Sequence, residues 1–127
     1  MTSRFTELAV DCADPRGLAS FWCAVLGYEV IGGDDELVTI GPAAVGSGGP
    51  QPDPVPPTLT FARVPERKTA KNRLHLDLRA SDQHQDAEVR RLLELGARYA
   101  DVGQSGEESW VCLSDPEGNE FCVLADR

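Results

Sequence analysis

At 127 residues, with 41% hydrophobic and 26% charged side chains, the chain has the length and balance of one ordinary globular domain. Twenty-one Asp and Glu against twelve Lys and Arg leave a formal charge of −9, without the cationic footprint that a general nucleic-acid or anionic-membrane binder needs. No segment reaches the roughly 18 apolar residues of a spanning helix, so neither nucleic acid nor membrane is an expected partner.

The opening Met-Thr-Ser-Arg-Phe-Thr-Glu holds no apolar run fit for a signal peptide, and the expected setting is cytoplasmic. Cys12, Cys23, Cys112 and Cys122 form no Cys-x-x-Cys pair and read as reduced thiols, first of all as small core residues. Phe5 to Cys12 alternates as a strand, with Leu8, Val10 and Cys12 on one face and Glu7, Ala9 and Asp11 on the other. Asp14-Pro15 reads as an N-cap and a first-turn proline. Leu18, Phe21, Trp22, Val25 and Leu26 then recur at helical spacing until Gly27 ends the helix. Short strands are expected over 28–31 and 36–40, joined by a turn at Gly32-Gly33-Asp34-Asp35.

Ten of the seventeen residues from Gly41 to Pro57 are Gly or Pro, which rules out helix and argues against a central strand. The segment is either a functional lid or a disordered insertion. Thr58 to Val64 resumes as a strand, and 65–72 is a polar connection. Arg73 to Arg79 alternates strictly, with Leu74, Leu76 and Leu78 against His75, Asp77 and Arg79. A helix over 82–95 follows, clearest from Ala87, with Val89, Leu92 and Leu93 on its apolar face and Gly96 at its end. Strands are expected over 99–102, 109–114 and 120–125, the last two joined by the turn Asp115-Pro116-Glu117-Gly118-Asn119.

The two halves share one order: strand, helix, Leu-Gly, then three strands. Glu7 and Asp14 align with His75 and Asp82, seven residues apart in each half, and Leu26-Gly27 aligns with Leu95-Gly96. The expectation is an α+β chain of two βαβββ modules, about 5–64 and 73–125, forming one domain over 1–127. Curved mixed sheets would enclose a cleft, with the helices on the convex side and the polar rows facing inward.

Strand parity selects the site candidates. Glu7 and Asp11 come from the first strand, and His75, Asp77 and Arg79 from its repeat. Trp110, Cys112 and Ser114 share one later face, and Glu120, Cys122 and Leu124 share another. Inward-facing ionisable groups are costly to bury unless paired, hydrated or metal-bound. His75 and Asp77 therefore read as a hydrogen-bonded pair in a wet groove or as ligand contacts, or else His75 and Glu7 read as ligands of a divalent ion. Trp110 is core or a stacking wall. Arg63, Arg67, Lys68, Lys71 and Arg73 put five of twelve cations within eleven residues, either as a solvated loop or as a site for an anionic group.

Asp14-Pro15 with Phe21-Trp22 and Leu26-Gly27-Tyr28, and above all the turn and strand Asp115-Pro116-Glu117-Gly118-Asn119-Glu120-Phe121, resemble the glyoxalase/bleomycin-resistance/extradiol-dioxygenase (vicinal oxygen chelate) superfamily. The stretch from Lys68 to Leu78 is similar to its actinobacterial glyoxalase-like subgroup. The resemblance covers about Phe5 to Leu124 and implies paired βαβββ modules. In its metal-dependent members, ligands come from the first and last strand of each module. Those positions fall here on Glu7, His75 and Cys122, with the fourth near Thr60 or Phe61. Cys122 stands where a glyoxalase I would carry Glu, so the resemblance does not imply glyoxalase I activity. It implies a protein binding a small organic ligand through Glu7, His75, Asp77, Trp110 and Cys112. The alternative is a lyase, isomerase or dioxygenase using a divalent metal on Glu7 and His75 with Cys122. No cofactor is dictated beyond that candidate ion, and a homodimer is expected from the superfamily.

Overall fold

The computed structural model describes residues 1–46, 49–50 and 55–127. Two compact units divide the chain, Met1–Arg67 and Lys68–Arg127.

In the first unit, alternation over β1 (Glu7–Cys12) hands the chain to α1 (Pro15–Leu26). The Asp14 carboxylate accepts from the Gly17 N–H at 3.2 Å, Pro15 occupies the first turn, and Gly27 ends the helix at φ 69°. The apolar stripe of α1 packs on β3 (Leu37–Gly41) and β4 (Thr58–Arg63), burying Leu18, Phe21, Trp22 and Val25 with Ile40, Leu59 and Phe61. Full burial of side chains of this size stabilises by about 1.5–3 kcal/mol each. Trp22 is core, as expected, edge-on to Phe21 at 5.3 Å between ring centroids. With β2 (Glu29–Gly33), the sheet order is β1-β4-β3-β2, β1 and β4 being parallel and the rest antiparallel.

Two expectations here are corrected. Gly32 and Gly33 belong to β2 across a register shift, and Asp34 makes the turn by accepting from the N–H groups of Glu36 and Leu37. The Gly/Pro-rich stretch does contain helix, the single turn α2 (Ala43–Gly46), because Ala43 and Ala44 interpose good helix formers after Pro42. Residues 47, 48 and 51–54 of the lid-or-insertion stretch lie outside the described residues.

The second unit repeats the plan with β5 (Leu76–Leu78), α3 (Gln85–Leu95), β6 (Arg98–Tyr99), β7 (Val111–Ser114) and β8 (Glu120–Val123). Its order is β5-β8-β7-β6, again with the first and last strands parallel. The α+β class and the two βαβββ units therefore stand as expected, in two separate four-stranded mixed sheets. Val89, Leu92, Leu113, Phe121 and Val123 make this unit's core.

Strand lengths differ from the pattern. β5 covers only Leu76–Leu78, because pairing with β8 begins at Leu76, and Leu74 is 80% exposed rather than core. The helix starts at Gln85, not Asp82: Asp126 accepts from the Gln85 N–H at 2.9 Å and holds His84 at 2.9 Å. This cap comes from the far end of the chain and has no local signal. β6 pairs at Arg98 and Tyr99 rather than over 99–102. Among the described residues, no helix is long and apolar enough to cross a membrane.

Candidate functional site

The Asp115-Pro116-Glu117-Gly118-Asn119 turn sets the site's register. The Asp115 side chain, buried at the turn, accepts from the N–H groups of Glu117 and Asn119 and from the Asn119 amide. The Asp115 carbonyl accepts from the Gly118 N–H at 2.9 Å, and Gly118 sits at φ 89°, where a side chain would be strained. This turn fixes Leu113 opposite Phe121 and Cys112 opposite Cys122. Alternation then sends Leu113, Phe121 and Val123 to the core and Cys112, Glu120, Cys122 and Leu124 to the other face.

On that face lies a pocket of about 380 Å³ lined by Lys71, His75, Asp77, Val102, Trp110, Cys112, Glu120, Cys122 and Leu124. The volume is that of a small-ligand site. Trp110, 44% exposed, forms part of the wall and is not core. Cys112 and Cys122, 5% and 7% exposed, make the floor. Burial pushes the Cys122 thiol up to about 11, helped by the neighbouring Cys112 and by Asp77, and burial likewise raises Cys112.

His75 Nδ1 lies 3.2 Å from Asp77 Oδ1. Asp77 is the direct register partner of Cys122, and ligand atoms of His75, Asp77 and Cys122 all lie within 4.8 Å of one another. Glu120 is held from the opposite side, by Lys68 Nζ at 2.6 Å and the Asn72 N–H at 3.0 Å. Burial alone would raise its carboxyl, but these hydrogen bonds together hold it below the usual carboxylate range. Lys68 and Asn72 thus tie the cation-rich connection onto β8 and leave Lys71 in the pocket lining.

The fold brings together seven of the residues that strand parity selects: His75, Asp77, Trp110, Cys112, Glu120, Cys122 and Leu124. Glu7 belongs to the first unit, where its carboxylate accepts from Thr60 Oγ1, which lies 2.8 Å from Thr39 Oγ1. Register settles which residue answers to Cys122. Thr60 pairs with Ala9 and Thr39 as Cys122 pairs with Asp77 and Cys112, so the counterpart is Thr60 and not Phe61. Asp11 and Arg79 are exposed, and Arg79 donates to the Ala125 carbonyl at 3.1 Å. Strand parity does not find Lys71 or Val102: Lys71 belongs to the cation-rich run, whereas Val102 is brought in by a loop with no signal of its own.

The donor set can be weighed against a metal ion. An imidazole, a carboxylate and a thiol at this spacing suit a borderline or soft divalent ion, and a thiol suits a hard ion poorly.

No curated protein sequence matches the chain. Solved structures share its fold at low identity. A mutant of the fosfomycin resistance protein FosX from Listeria monocytogenes, complexed with Mn(II) and 1S,2S-dihydroxypropylphosphonic acid, superposes with a TM-score of 0.70 at 13% identity, covering 100% of this chain and 93% of that one. The bleomycin-binding protein of Streptomyces verticillus, complexed with copper(II)-bleomycin, gives 0.60 at 19%, covering 100% and 99%. A possible glyoxalase from Bacillus cereus gives 0.64 at 16%, covering 98% and 100%. At such identities these likenesses show the fold alone. The model of the glyoxalase-like domain matches residues 7–124, nearly the whole chain, and the protein belongs to that family.

Proposed function

We propose that the protein binds a small organic ligand in the pocket of its second unit and lacks glyoxalase I activity. One observation carries this reading: an apolar wall and floor of Trp110, Val102, Leu124 and two buried thiols faces the polar groups of Lys71, His75 and Asp77. Such a lining suits a ligand with a flat apolar body and a charged or hydrogen-bonding end. Cys122 occupies the place of a catalytic carboxylate, and a thiol held protonated cannot act there as a general base at neutral pH. The bleomycin-binding relative supplies a precedent for sequestration on this fold. Residues 1–127 would serve as one domain. The similarity of Lys68 to Leu78 supports placing the protein in the actinobacterial subgroup, the four free cysteines support a cytoplasmic setting, and the superfamily resemblance supports a homodimer. Light scattering giving a monomer near 13.7 kDa would reject the dimer.

The test uses 1-anilinonaphthalene-8-sulfonate, an apolar ring system with an anionic group. Its NMR shift perturbations should centre on the Trp110 indole, His75 and Lys71. Trp110→Ala should weaken its binding by about tenfold, the order of one aromatic stacking contact. Perturbations elsewhere on the surface, or affinity unchanged in Trp110→Ala, refute the assignment.

A second reading is favoured by the convergence of His75, Asp77 and Cys122. In it these residues would hold a divalent ion that polarises a bound oxygen for a lyase, isomerase or dioxygenase reaction. Tag-free protein should then carry about one equivalent of metal. Substoichiometric metal, with no change in melting temperature on adding nickel, zinc, iron or manganese, excludes this reading.

A further inference from the structure

We propose that Cys112 and Cys122, with His75 and Asp77, form a thiophilic cation site contained within the second unit, fitted to a d10 ion such as zinc or cadmium. This rests on the metal reading above and changes its chemistry, because Cys112 adds a second thiolate. The strand register carries it. Asp115 and Asn119 form a hydrogen-bonded pair, the Asp115 N–H donating to the Asn119 carbonyl at 2.9 Å. Pair type alternates along an antiparallel ladder, so Cys112 and Cys122 are a non-hydrogen-bonded pair. The Cys112 carbonyl confirms this by accepting from the Ala100 N–H of the opposite neighbour at 3.0 Å. Side chains in such pairs stand closest, with Cα atoms about 4.5 Å apart. The first unit shows the resulting distance, since Thr39 and Thr60 hold the same register with their hydroxyl oxygens 2.8 Å apart.

Two thiolates on a tetrahedral zinc, with bonds of about 2.3 Å, lie roughly 3.8 Å apart, a spacing adjacent cross-strand cysteines can meet by rotation about χ1. Nitrogen and oxygen ligands with bonds of about 2.0 Å span roughly 3.3 Å. His75 Nδ1 and Asp77 Oδ1 stand 3.2 Å apart. The thiols form a buried floor and the imidazole and carboxylate a solvent-facing rim, so an ion enters from the exposed side. On binding, each thiol releases one proton and the ion gains two thiolate bonds, and no electrons are transferred.

Reduced, tag-free protein titrated with cadmium reports directly through the ultraviolet thiolate-to-metal charge-transfer band. One equivalent should bind, and zinc should compete. The band should halve in Cys112→Ser and in Cys122→Ser and vanish in the double variant, while His75→Ala weakens binding and leaves the band. Cys112→Thr and Cys122→Thr, the residues of the first unit at this register, provide folded controls if the serine variants melt early. A full-intensity band in Cys112→Ser overturns the two-thiolate site. So does one equivalent of cadmium bound without the band, or manganese bound where cadmium gives no band, although either leaves the metal reading standing. Failure of every ion to bind removes both.

Discussion

At pH 8 the Cys122 thiol should be alkylated about a hundredfold more slowly than a free cysteine. The thiolate is the nucleophile, and Cys122 is raised from the ordinary 9.0 to about 11 by burial first, then by Cys112 and Asp77. Below both values the thiolate fraction falls tenfold per unit, so two units give a factor of about one hundred. The 7% exposure of the residue slows the reaction further. Iodoacetamide labelling from pH 7 to 11, followed by peptide mapping against glutathione, measures the midpoint. Cys112→Ser removes the second cause and should lower the midpoint, yet leave it above 9.0 because burial remains. A midpoint at or below 9.0, or a rate equal to that of glutathione, would refute a dry pocket floor. The same shift appears in stability. A raised folded value means the contribution is fully present below the unfolded value near 9.0 and is lost as pH rises through about 11. At about 1.4 kcal/mol per unit it amounts to about 2–3 kcal/mol, read as the difference in urea unfolding between wild type and Cys122→Thr.

Three further outcomes follow from the packing. Glu88, buried on α3, accepts from Arg91 Nε at 2.8 Å and from Gln83 at 2.9 Å, and Arg91 holds its carboxyl below the usual range against the opposing effect of burial. Its stabilisation is fully present above the unfolded value near 4.5 and is lost as pH falls through the depressed folded value. Glu88→Gln should therefore cost about 1–3 kcal/mol at pH 7 and progressively less as pH falls below 4.5, and parallel pH profiles for variant and wild type would contradict the pairing. Gly33 sits at φ 118°, and a Cβ there would meet the Leu37 carbonyl oxygen at 2.1 Å. Gly33→Ala should lower stability by at least about 1–3 kcal/mol, whereas Gly32→Ala, with nothing within 4 Å, should change it little; equal melting temperatures would count against this hairpin. Leu92→Ala empties a fully buried position and should cost about 2–5 kcal/mol, against less than about 0.5 kcal/mol for Leu74→Ala at 80% exposure, both by denaturant melts.

Much of the fold was legible because its signals are local. The helix over Pro15–Leu26 announces itself through Asp14, Pro15 and Gly27, and the Asp115–Asn119 turn through an Asp that caps it and a glycine at positive φ. The duplication was visible as matched spacing, and both sheets obey it strand for strand. The failures are where a distant residue decides. Asp126 moves the start of the second helix, and the length of β8 available for pairing shortens β5 and strands Leu74 in solvent. In the pocket, parity grouped Trp110 with Cys112 on one strand and Cys122 with Leu124 on the next, since side chains alternate along any strand.

The sequence by itself determined that this acidic chain repeats one βαβββ plan, and which residues each strand turns away from its core. Only the tertiary structure decided that Cys112 faces Cys122, that Thr60 is the counterpart of Cys122, and that Lys68 and Asn72 pin Glu120 while Lys71 is left to line the pocket. Alternation is a property of one strand, but register belongs to two, and the hydrogen bonds that set it join residues the sequence keeps apart.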